Sequence, residues 1–176
     1  MRVKLLLVIT VWAIIVQACM ATAPIHPEAK RHNQTGVANL QKGSLQDAAV
    51  CFRLSLEYNP CHADALHNLA LVYMFRGNLT LAEQHELEAL ECRPDLVQAV
   101  NGLGSIYRSR LELDRAAELF SQAVSMDPGY LDARRNLILT MLDLGQPNRA
   151  QKHIDRLKIL SPGDPFLVQI EYRLAR

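Results

Sequence analysis

VQAVNGLGSIYRSRLELDRAAELFSQAVSMDP, residues 97–128, is the stretch on which the fold turns. Leu103 and Gly104 stand four and three residues before Tyr107, Ala116, Phe120 and Ala123 stand four and three apart further on, and Pro128 closes the stretch. Those are two apolar stripes at helical spacing. The same text returns along the chain: Pro60, Pro94, Pro128 and Pro162 stand 34 residues apart. Aligned on them, Ala48, Ala82, Ala116 and Ala150 share a column, as do Gly36, Ala70 and Gly104, and Leu69, Leu103 and Leu137. Tyr73 stands over Tyr107, Phe52 over Phe120, and Gly43, Gly77 and Gly145 fall between the stripes, where a helix must stop. Each unit therefore reads as two antiparallel helices. Small residues in fixed columns let helix backbones approach where they cross.

The pattern Leu103-Gly104, Tyr107, Ala116, Phe120, Ala123 and Pro128, at this period, resembles the tetratricopeptide (TPR) repeat family from about Ala29 to Pro162. The resemblance implies an all-α, right-handed superhelical solenoid of four helix-turn-helix repeats, at 29–62, 63–96, 97–130 and 131–164. Asp164-Pro165 is a helix-start signal, and Phe166, Leu167, Ile170 and Leu174 follow at helical spacing, so residues 165–176 are expected to form a capping helix. Unit one departs from the pattern at His32, Thr35 and Asn39, and unit four at Arg134 and Ile138. Such departures are expected at the ends of a solenoid, where outer faces meet water.

Composition fits one small array plus a hydrophobic segment: 176 residues, formal net charge +1, and 49% hydrophobic. No Lys/Arg run or aromatic platform is present, so no nucleic-acid partner is expected. Arg2 and Lys4 precede an apolar run from Leu5 to Val16 broken only by Thr10, and small residues follow, as in a secretory signal peptide. Three readings stay open. Ile15-Val16-Gln17-Ala18-Cys19 resembles a bacterial lipobox, which implies a lipoprotein signal over 1–18, lipidation of Cys19 and a tether over 19–28 that contains Pro24 and Pro27. Alternatively the signal is cut after Ala21 and the protein is freely secreted or periplasmic. The third reading is an uncleaved anchor, although the strongly apolar core is shorter than the roughly twenty residues of a spanning helix. Met20 after Cys19 resembles the pattern of lipoproteins sent to the outer membrane, where this one would face the periplasm.

Past Cys19, Cys51, Cys61 and Cys92 remain. Cys61 just precedes the first helix of unit two and Cys92 ends its second, so antiparallel helices make the two neighbours and an expected disulfide; three buried reduced cysteines are the alternative. His62 and His67 are five apart, the wrong step for one helix face, and no CxxC or HExxH pattern occurs, so no metal or other cofactor is expected. There is no GxSxG, P-loop or motif-fixed acidic pair, and a binding role, not an enzymatic one, is expected. Two Asn-x-Thr sequons, at Asn33 and Asn78, would matter only in a eukaryotic secretory host.

Stacked hairpins put the first helices on the inner wall. The positions there that face a partner are expected to be Asp64, His67, Asn68, Leu71, Met74 and Phe75 in unit two, Asn101, Ser105 and Arg108 in unit three, and Arg135, Asn136, Leu139 and Leu142 in unit four. Asn68 and Asn136 share a column in which TPR relatives use Asn to hold an extended peptide, and an amide both donates and accepts. Leu71, Met74 and Phe75 would add an apolar floor, Leu71, Met74, Leu139 and Leu142 being equally readable as ordinary core. Arg108 and Arg135 could take an acidic residue or chain end. The expected partner is a protein or peptide segment, held by a membrane-tethered adaptor. The lipobox with repeats resembles TPR lipoproteins of pilotin and pilus-assembly type. Assembly of a pilus, secretin or other envelope machine is one expectation; a non-catalytic accessory that positions a cell-wall enzyme is the other.

Overall fold

The computed structural model describes residues 26–174. Among these are nine helices and no strand: α1 Pro27–Gln41, α2 Leu45–Tyr58, α3 Ala63–Phe75, α4 Leu79–Cys92, α5 Val97–Ser109, α6 Leu113–Met126, α7 Leu131–Asp143, α8 Pro147–Leu160 and α9 Pro165–Leu174. Each of the first four hairpins, from α1/α2 to α7/α8, is one 34-residue unit. Second helices pack on the first helix of their own unit and of the next, and first helices touch one another, so α1, α3, α5 and α7 line the inner wall of a solenoid. The signal segment and the lipidation at Cys19 that the sequence leads one to expect lie outside the described residues. Residues 19–25 of the expected tether also lie outside the described residues, and α1 begins at Pro27, inside the 19–28 bounds: proline fits the first helical turn, and His26 Nδ1 accepts a hydrogen bond from the Glu28 N–H.

One turn closes every hairpin. In unit one the Gly43 N–H reaches the Leu40 carbonyl and the Ser44 N–H reaches that of Asn39; the same pair of bonds recurs at Gly77/Asn78, Leu111/Glu112 and Gly145/Gln146. This is the Schellman arrangement, and it needs a left-handed residue. Gly43, Gly77 and Gly145 supply it at φ 75°, 75° and 69°, whereas unit three places Leu111 there at φ 63°.

Inside the units, side-chain volumes trade across the hairpin. A Cβ on Gly36 would lie 2.5 Å from the Phe52 ring, and one on Gly104 would lie 2.6 Å from Phe120. Where the glycine becomes Ile138, the facing phenylalanine becomes Ile154, and both are buried. Arg134 is buried as well, at 4% exposure. The unit-four departures are therefore internal rather than facing water: Ile138 shares a core with Leu167 and Ile170 of α9, and Arg134 lies between the Pro128 carbonyl and α8. In unit one, by contrast, His32 is partly exposed and stacks on Tyr58, and Thr35 is exposed. Leu167 and Ile170 of α9 complete the unit-four core.

A disulfide joins Cys61 and Cys92, whose Cα atoms are 5.4 Å apart, while Cys51 stays a free thiol. Beside it, the Ser55 hydroxyl donates to the Ala29 carbonyl at 2.7 Å and meets His62 Nδ1 at 2.8 Å. The hydroxyl proton being committed, the imidazole must donate, which requires Nδ1–H. Burial lowers the His62 pKa below its ordinary 6.5.

Candidate peptide-binding groove

On the inner wall, Asn68 Nδ2 donates to Asn33 Oδ1 at 3.0 Å, and Asn136 Nδ2 donates to Asn101 Oδ1 at the same distance. The first- and third-unit junctions are thus sealed by one repeated amide pair, 35 residues apart. Among the described residues no hydrogen bond reaches the side-chain oxygen Oδ1 of Asn68 or Asn136, which can accept a backbone N–H from a bound chain. The middle junction is built differently. There the asparagine column holds Gly102, and the gap is filled by Glu86, which sits in the column of Phe52 and Phe120. A Cβ on Gly102 would collide with the Glu86 carboxylate. That carboxylate is fully buried, and both its oxygens lie 3.0 Å from His67 Nδ1. Burial pushes the Glu86 pKa up, and the His67 hydrogen bond opposes the shift.

The other expected groove residues divide. Asp64 is tied to Arg93. Arg108 bonds Asp143 at 2.8 Å, and Asp143 also receives Arg173 of α9; Arg135 bonds Asp164 at 2.7 Å and Asp132 at 2.5 Å. Arg108 thus stitches unit three to unit four, Arg135 holds the loop that leads into α9, and neither is a bare site for a chain end. The Asp143 and Asp164 carboxyls stay below the ordinary range because these arginine bonds outweigh the burial that opposes them. Met74, Leu139 and Leu142 pack on core clusters, since the helix stripes are wide enough to carry them inward. Leu71 is partly buried, and Phe75 projects, 68% exposed. Ser105, Arg108 and Asn136 do come together, with Ser109, Leu111 and Asp143, around a cavity of about 350 Å³ between α5 and α7. Sequence reasoning missed Asn33, Asp143, Leu111 and Glu86. Two carried a signal: a leucine in a glycine column and a glutamate in a phenylalanine column. Among the described residues no cluster of His, Cys, Asp and Glu could hold a metal.

Two tetratricopeptide repeat models match the chain, at residues 51–84 and 112–169, together just over half of it. The chain is 27% identical over 135 residues to the type IV pilus assembly protein PilF of Pseudomonas aeruginosa, a match covering 75% of this chain and 53% of PilF. It thus spans about half of that relative's length. It is also 27% identical over 149 residues to the photosystem I assembly protein Ycf3 of Synechococcus elongatus, covering 74% of this chain and 86% of Ycf3. Among solved structures, P. aeruginosa PilF superposes with a TM-score of 0.75 at 23% identity, over 84% of this chain and 69% of its own. The first TPR domain of Spaghetti (RPAP3), bound to an HSP90 peptide, gives 0.62 at 17% identity, over 67% of this chain and 94% of its own. At such identities the likeness is one of fold.

Proposed function

From the premise that the chain belongs to the tetratricopeptide repeat family, we propose that it is an exported, membrane-tethered, non-catalytic adaptor whose inner wall grips an extended segment of a partner polypeptide during assembly of a pilus, secretin or similar envelope machine. The observation that carries this reading is the repeated amide pair, Asn68 on Asn33 and Asn136 on Asn101. It holds two carbonyl oxygens in fixed register, two units apart, and Phe75 and Leu111 stand exposed on the same hairpins. Backbone recognition of this kind tolerates varied side chains in the ligand. Support for an assembly role comes from the similarity to PilF, and support for export comes from the apolar N-terminus and the Cys61–Cys92 disulfide, which suits an oxidising compartment.

Affinity capture from envelope extracts with the wild type and with Asn68→Ala/Asn136→Ala tests the groove. The variant should keep its helical circular dichroism and lose the partner; equal recovery would count against groove binding. Palmitate labelling tests the tether, and an unlabelled band with Cys19 intact would remove it.

A further inference from the structure

The outer wall is not uniform in charge. α4 carries Glu83, Glu88 and Glu91, besides the buried Glu86, with no lysine or arginine, whereas α8 carries Arg149, Lys152, Arg156 and Lys158 against Asp155 alone. On α8, Arg149, Lys152, His153 and Arg156 fall at steps of three, one and three, so they form one face of the helix, about 10 Å long. Asp155 points elsewhere and accepts a bond from Gln151, and Lys158 is paired with Glu171. Among the described residues, no carboxylate lies within 4.0 Å of Lys152, Arg156 or Arg134; Arg149 bonds Gln146 and shares a surface cavity with Asp114 and Glu118.

Beneath this stripe lies Arg134, in the column that holds Leu66 and Val100 in other units. Its Nη2 donates to the Pro128 carbonyl at 2.8 Å, and its buried Nε–H has no partner. Arg156 lies near enough to oppose its charge, and burial together with the Arg134 charge holds the His153 imidazole below its ordinary 6.5. Asp127, the acid of the adjoining loop, receives the Gly129 N–H. A guanidinium placed in a core column, among like charges, with a donor unused, costs free energy unless an anion completes it.

We infer that the outer wall of unit four docks an acidic polypeptide segment, one of whose carboxylates is received by Arg134 while others lie along Lys152, His153 and Arg156. The stripe has no aromatic residue on which nucleic-acid bases could stack. Ile159 and Leu160, exposed at its C-terminal end, would meet apolar residues that follow the acidic ones in the partner. This surface is separate from the groove, and the inference does not rest on groove binding.

Fluorescence anisotropy with a fluorescein-labelled poly-glutamate peptide tests it on the full chain. The wild type should bind with an affinity that falls as salt is raised, and Lys152→Glu/Arg156→Glu should bind at least about tenfold more weakly. Arg134→Leu installs the residue that unit two already tolerates, so it should fold and yet lose affinity by a similar factor. Asn68→Ala/Asn136→Ala should bind like the wild type. Unchanged binding by Arg134→Leu, no binding by the wild type, or Lys152/Arg156-dependent binding to phosphatidylglycerol vesicles without peptide binding would each overturn the inference.

Discussion

Burial raises the Glu86 carboxyl pKa from its ordinary 4.5 despite the opposing bond from His67. The folded chain therefore holds this proton more tightly than the unfolded chain. The stability so gained is present below pH 4.5 and is lost as pH climbs through the raised value. Glu86→Gln should accordingly gain in melting temperature relative to the wild type as pH rises from about 4 to about 8; a difference constant with pH would contradict this. His62 works in the opposite sense. Its pKa is lowered by burial, so its contribution is present above 6.5 and is lost as pH falls through the lowered value. Melts of His62→Gln should show a flatter acid limb than the wild type. Packing is equally local: Gly104→Ala sets a Cβ 2.6 Å from the buried Phe120 ring and should cost roughly 1–3 kcal/mol in urea denaturation.

Among the elements, the α5–α6 turn is the informative one. Leu111 holds the left-handed conformation that its three counterparts assign to glycine, and it is 81% exposed. Leu111→Gly should stabilise the chain by about 1 kcal/mol by equilibrium denaturation. If Leu111 also contacts the partner, the same change weakens capture, and a stabilised protein that binds less would report strain kept for function. The hairpins themselves were legible because their residues repeat: Gly36 and Gly104 announce Phe52 and Phe120, and Gly43, Gly77 and Gly145 announce the turns. Departures were harder to read, because their compensation sits in another column. Gly102 is explained by Glu86, sixteen residues earlier, and Asn68 by Asn33, one step off the period. Aligning on the period finds what units share; an irregular pair is visible only once the helices are stacked.

Across the whole molecule, ion pairs gather near the C-terminal end: Arg108 to Asp143 joins units three and four, Asp143 to Arg173 joins unit four to α9, and Arg135 to Asp164 holds the loop before α9. Together with Leu167 and Ile170, the last two fasten α9 to unit four. In a solenoid each unit is stabilised by its neighbours, so loss of α9 is felt first by the unit next to it. A chain ended after Asp164 should lose hydrogen-exchange protection in α7 and α8 while α1 and α2 keep theirs; uniform loss would mean that the array unfolds as one body. The groove residues were the hardest part to foresee at this scale. Arg108 and Arg135 were expected to await a ligand, but their long side chains reach carboxylates of the array first, Arg108 in the next unit and Arg135 at the loop before α9.

The Cys61–Cys92 bridge encloses unit two, including its Gly77-Asn78 turn. A protease that clips this turn would open the polypeptide without parting it, and both pieces would migrate together until a reductant released them. Damage at that exposed corner therefore leaves unit one still fastened to the last two units.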